Sequence, residues 1–225
     1  MTINVVVDLS HYNTVTSFQT VKADGILGVI HKATQGTGAV DSHYAVRRPA
    51  ALAEGLMWGA YHFADGSDPV AQAQHFIQVV SPGPNDLLVL DLEEQMTLAG
   101  AEEFVKYVQS VTGRWPGLYG GSYLRELLGN NKETALAFCW FWLSEYGPTP
   151  RVPSAWQTWT MWQYTDGTVG PEPHSVAGIG NCDRDMFNGE LEDLQRLWGY
   201  AVPDSQPAAA PDGQSGSQPD TAPAS

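Results

Sequence analysis

Leu87-Leu-Val-Leu-Asp91-Leu-Glu93 decides how this chain reads. Four apolar residues run straight into two acids one residue apart. A short continuous apolar run fits a strand buried on both faces. On a strand, residues i and i+2 point to the same side, with Cβ atoms roughly 6–7 Å apart. Two carboxyl groups at that spacing suit glycoside hydrolysis. One stays protonated to donate to the leaving oxygen, and the other stays ionised to face an oxocarbenium-like transition state. A D-x-E pair alone occurs in many surface loops; the run before it gives this one weight.

Similar apolar runs lie upstream at residues 4–9, 27–31 and 57–63. Amphipathic stretches separate them. Asp68 and Pro69 form a helix start, an N-cap acid followed by proline at the first helical position. Ala73, Phe76, Ile77 and Val80 then recur at helical spacing. Thr97 caps a second helix with an apolar stripe of Ala101, Phe104, Val105, Val108 and Val111, which Gly113 ends. Downstream, runs at 138–143, 160–164 and 178–183 are joined by Pro- and Gly-rich segments with little room for helices. About eight strands, with helices only in the first part, predict an α/β fold that closes into an irregular barrel.

Active-site groups of such barrels sit at the C-terminal ends of strands. Acids fall at those ends repeatedly: Asp8, then Asp91 with Glu93, then Asp183. Gathering them at one mouth is tolerated mainly where it tunes protonation. The nucleophile elbow, the metalloprotease helix motif and the phosphate loop are missing from the sequence. His31 and His62 fall in strand runs and read as hydrogen-bonded core histidines, so neither a metal site nor a cofactor is expected. Cys139 and Cys182 read as buried thiols rather than a metal or redox pair.

The chain has 225 residues, with 25 acidic and 11 basic side chains and a net charge of −14. So acidic a protein is poorly suited to gripping nucleic acid or an anionic membrane. Eight Trp and nine Tyr fit either an aromatic core or a flat-ligand site. Residues 201–225 carry one Val, no aromatic residue and no Lys or Arg, and are expected to be a disordered tail behind a single domain at 1–200. The N-terminus lacks a basic region and a cleavage site, so synthesis in the cytoplasm without a signal peptide is expected.

Eight motifs in order carry a family resemblance. They are VDLSHYN from Val7, GVIHKATQG from Gly28, GAYHF from Gly59, LVLDLEE around Asp91, PGLYGG from Pro116, WLSEYG from Trp142, MWQYTDG from Met161 and CDRDMFNG from Cys182. Together they resemble glycoside hydrolase family 25, the lysozymes that cut peptidoglycan. The resemblance implies a TIM-like (β/α)5β3 barrel, a monomer, and cleavage of the β-1,4 bond between N-acetylmuramic acid and N-acetylglucosamine with net retention. It implies Glu93 as general acid, and Asp91 as nucleophile or as the group that steadies participation by the substrate's acetamido. Asp8 and Asp183 would be supporting acids, Asp183 rather than Asp185 being the one that aligns. Tyr61, Tyr119, Trp142, Trp162, Gln163 and Tyr164 would line the sugar groove. Gln35 stands where the family commonly has an acid. The enzyme would act on the cell wall, and a phage endolysin freed by holin-type release fits. The alternatives are a sugar-binding barrel without catalysis and an N-acetylglucosaminidase on the same fold.

Overall fold

The computed structural model describes residues 1–202, so nearly all of the segment expected to be a tail lies outside the described residues. Five strand–helix units come first: β1 (Ile3–Leu9) with α1 (Phe18–Ala23), β2 (Gly28–Gln35) with a short β3 (Ala39–Val40) and α2 (Tyr44–Ala53), β4 (Met57–Phe63) with α3 (Pro69–Val80), β5 (Leu87–Asp91) with α4 (Leu98–Thr112), and β6 (Gly117–Gly120) with α5 (Ser122–Leu128). A 3-10 turn (Ala135–Phe138) then leads into β7 (Trp140–Ser144) and β8 (Met161–Thr165). A hairpin, β9 (Ser175–Val176) with β10 (Gly180–Asn181), precedes β11 (Arg184–Phe187) and α6 (Leu191–Leu197).

Eight strands close a ring in the order β1, β2, β4, β5, β6, β7, β8, β11. Neighbours from β1 to β8 are parallel, whereas β11 runs antiparallel to both β8 and β1. The ring is therefore the (β/α)5β3 barrel. Its two apolar layers follow the strand period of two. On β5, Leu87 and Val89 point into the barrel with Val6, Ile30, Met57 and Phe187, while Leu88 and Leu90 pack outward under the helices.

The helix starts match the sequence. Asp68 accepts from the Ala71 N–H at 2.7 Å and Thr97 from the Gly100 N–H at 3.1 Å. Gly113 ends α4 at φ 74°, a conformation that glycine adopts without strain. Three expectations need correction. The run at 178–183 is not a barrel strand: it holds the hairpin, and the eighth strand starts after Asp183. Val111 does not join the buried stripe of α4 and is half exposed, because it lies beyond the last turn that the barrel covers. Helices are not confined to the first part, since α6 follows β11. Its Leu194 and Trp198 close the bottom of the barrel, and the Trp198 indole donates to the Trp58 carbonyl at 3.0 Å.

Candidate active site

The open end of the barrel holds a cavity of about 240 Å³. Side chains near the strand ends line it: Asp8 on β1 and Ser10 after it, Lys32 from β2, Tyr61 and Phe63 from β4, Asp91 ending β5 and Glu93 after it, Tyr119 from β6, Trp142 from β7 and Gln163 from β8. Asp183 joins them from the opposite sense. It precedes β11, and the start of an antiparallel strand lies level with the ends of parallel ones.

A hydrogen-bonded row crosses the floor. Gln163 Nε2 donates to Asp8 Oδ2 at 2.8 Å, and Gln163 Oε1 accepts from the hydroxyls of Tyr119 and Tyr146, each at 2.7 Å. Ser144 Oγ lies 3.0 Å from the Tyr119 hydroxyl. Below this row the Trp142 indole donates to Asp185 Oδ1 at 2.7 Å. Lys32 Nζ sits 4.7 Å from the centre of the Phe63 ring and donates to Gln35 at 2.8 Å.

Every acid here holds its proton more tightly than usual. Burial pushes Asp91 well above the ordinary carboxyl value; the charge of Glu93 adds to this and Lys32 opposes it. Asp91 Oδ1 has no hydrogen-bond partner among the described residues. Glu93 is exposed at the rim, yet the protein around it also raises it. Asp183 is pushed up to about 7 by burial, then by Asp166 and Glu93. Asp8 and Asp185 are raised by burial and by their acidic neighbours. Burial lowers Lys32, and Asp91 is the largest influence acting the other way.

Eight of the ten residues singled out in the sequence meet at this cavity; Trp162 and Tyr164 do not. On β8, Met161 and Gln163 face inward, so Trp162 and Tyr164 face the helix layer. The Trp162 indole donates to the Glu145 carbonyl at 2.6 Å, and the Tyr164 hydroxyl donates to the Pro173 carbonyl at 2.8 Å. Ser10, Tyr12, Lys32, Phe63 and Tyr146 also line the cavity, beyond the residues singled out in the sequence. Two of these were within reach of the strand period: Lys32 is two residues after the inward Ile30, and Phe63 two after Tyr61. His31 and His62 are buried and bonded on both ring nitrogens, and burial holds each down to about 4. Cys139 and Cys182 are buried free thiols.

A (β/α)5β3 ring with an acid-lined mouth has the outline of a glycoside hydrolase, and comparison with known proteins gives the family. The model described as Glycosyl hydrolases family 25 matches residues 7–172. The chain belongs to that family. It is 27% identical over 212 residues to Lysozyme M1 of Streptomyces globisporus, covering 85% of this chain and 70% of the relative. It is 32% identical over 175 residues to the uncharacterized protein YegX of Escherichia coli K12, covering 73% of this chain and 60% of that one. Among solved structures, the bacterial lysozyme of Streptomyces coelicolor superposes with a TM-score of 0.78 at 28% identity, over 88% of this chain and 98% of that one. A family 25 lysozyme of Aspergillus fumigatus gives 0.74 at 27% identity, over 89% and 100%.

Proposed function

We propose that the protein is a lysozyme that hydrolyses peptidoglycan at the β-1,4 bond from N-acetylmuramic acid to N-acetylglucosamine, acting on the cell wall. The observation that carries this reading is the Asp91–Glu93 pair on one face of the mouth, facing Lys32. Glu93 is the general acid because it stands at the rim, where the leaving oxygen of a glycan laid across the mouth arrives. Asp91 stands deeper, where positive charge develops on the sugar.

Burial favours the proton on Asp91. Sugar rings over the rim strip water from Glu93, the exposed member of the pair, and its carboxyl then holds a proton more readily. Loss of water raises a carboxyl most where water was most abundant. Lys32 lowers both members and keeps a negative charge tolerable between them. Tyr61, half-buried in the cavity wall, supplies aromatic surface for the apolar C–H face of the sugar. The reaction proceeds with retention, through attack by Asp91 or by the substrate's acetamido oxygen held by it.

Digestion of purified peptidoglycan followed by borohydride reduction tests the reading. New muramic acid ends are the expected result. Glucosamine ends would replace the reading with an N-acetylglucosaminidase, and no new ends would leave a sugar-binding barrel. An inverted anomer in the first product would overturn retention.

A further inference from the structure

Ser10-His-Tyr-Asn13 follows β1 and carries a tyrosine ring that the core does not use. Tyr12 lines the mouth of the cavity, yet it is 85% exposed. A single exposed ring on a slack loop would need no explanation. This loop is braced. All four of its backbone N–H groups are bonded: Ser10 to Asn13 Oδ1 at 2.8 Å, His11 to Asp41 Oδ2 at 2.9 Å, Tyr12 to Ser10 Oγ at 3.3 Å and Asn13 to the Ser10 carbonyl at 3.1 Å. Two buried charged residues, Asp41 just after β3 and Arg47 on α2, reach the loop from outside. Arg47 donates to the Ser10 carbonyl at 2.8 Å and to the Asn13 carbonyl. Asp41 also accepts from His11 Nδ1 at 2.8 Å, which fixes the imidazole. That imidazole lies beside Tyr12, with ring centres 4.0 Å apart and planes 39° apart. Tyr12 is thus backed on one side and open on the side of the mouth.

We propose that Tyr12 is a sugar-binding platform: a ring of the glycan strand, beyond the one that enters the cavity, lies on its open face, and His11 is the positioning residue that sets the angle of the tyrosine. This rests on the lysozyme reading for the nature of the strand. A sugar ring has an apolar C–H face, and a flat aromatic side chain covers such a face without discriminating among its hydroxyls. β1 stands three places round the barrel from β5. Tyr12 therefore meets the strand away from the Asp91–Glu93 pair and adds to the hold on the polymer, not to the bond cleavage. The brace explains why so exposed a residue can do this. Hydrogen bonds to the charged groups of Asp41 and Arg47 are strong, and they order the loop before the ligand arrives. Little conformational freedom is then lost when a sugar settles on the ring.

The test is calorimetric titration of soluble, peptide-free glycan strands into the Glu93→Gln protein, which should hold them without cutting. Adding Tyr12→Ala should weaken binding by about 3–10-fold, the worth of one aromatic contact. The melting curve should not move, because so exposed a side chain packs against little. Tyr12→Phe and Tyr12→Trp keep a flat face and should bind like the parent. His11→Ala should weaken binding while Tyr12 is present and change nothing once Tyr12 is alanine, a coupling that a merely structural histidine would not show. The free disaccharide of N-acetylglucosamine and N-acetylmuramic acid should bind alike to the parent and to Tyr12→Ala. Equal affinity of those two proteins for the long strands would overturn the inference, as would a loss that Phe and Trp fail to restore. An equal loss for the disaccharide would overturn the placement beyond the cavity, and additive losses at positions 11 and 12 would overturn the role of His11. A wild type that cuts no glycan, beside affinities that follow Tyr12 as expected, defeats the lysozyme reading alone.

Discussion

The two ends of the barrel are built on opposite terms. At the closed end, Trp198 and Leu194 from α6 meet Val6, Ile30, Met57, Leu87 and Phe187, and the Trp198 indole is satisfied by a carbonyl. The fit is tight enough that a Cβ on Gly28 would come within 3.3 Å of the Trp198 ring. At the open end, one strand position further along, the same inward faces carry Asp8, Asp91 and Asp183, with Asp185 just beneath. Two carboxyl oxygens there, on Asp91 and Asp185, lack partners among the described residues. One end lowers the free energy of the fold; the other raises it and gathers groups with displaced proton affinities. Such strain is tolerated at a working site and offset elsewhere.

Substitutions that act on one end only can break this division. Glu93→Gln should lower kcat by roughly 10²–10⁴-fold with an unchanged melting curve, because an amide keeps the shape but donates no proton to the leaving oxygen. A stability loss of similar consequence would mean that the open end also holds the fold. Trp198→Ala should do the reverse. Emptying that site should cost about 3–5 kcal/mol of stability in chemical denaturation, while turnover per folded molecule stays near wild type. A fall in kcat without a fall in stability would tie the closed end to the chemistry.

The next effect is a pH dependence with a definite sign. A folded-state value of about 7 for Asp183 lies above the unfolded carboxyl value of about 3.9. Between those limits the folded state binds more protons, so its contribution to stability is full below the lower limit and is lost as pH rises through the upper one. Melting temperature should therefore fall from pH 4 towards pH 7, and the slope should be shallower in Asp183→Asn. Equal slopes would show that Asp183 titrates normally. The smallest effect concerns the outward face of β8. Tyr164→Phe removes a hydroxyl that bonds Asn4 and Pro173, and should cost about 1 kcal/mol of stability with KM unmoved. A raised KM would return Tyr164 to the sugar groove.

The legible parts of the sequence are those where one local signal suffices. Met57–Phe63 is an uninterrupted apolar run and forms β4 without adjustment. Asp68-Pro69, Thr97 and Gly113 mark helix ends through chemistry within four residues of each end. The hidden parts depend on distant partners. α2 has Pro49 in its interior and no side-chain cap, so its face against the barrel is what sustains it. α6 is seven residues long and owes its place to two side chains inside a ring it does not help form. In the site, Trp162, Gln163 and Tyr164 cannot all face the cavity, because the strand period allows only one side of β8 to do so. Asp183 and Asp185 share one face, and nothing local tells which lines the mouth and which lies beneath it.

β11 enters the ring between β1 and β8, and Gln163 bonds an aspartate 155 residues away. The first and last strands of the barrel thus meet only when almost all of the described chain is present. Contacts so distant in sequence form slowly, since loop closure precedes any gain from them. A ribosome-bound chain that stops short of Asp183 has the Asp91–Glu93 pair but neither the opposing acid nor the closed wall that confines a sugar. Catalytic competence therefore arrives late in synthesis, and the nascent polypeptide stays inert until its final strand docks.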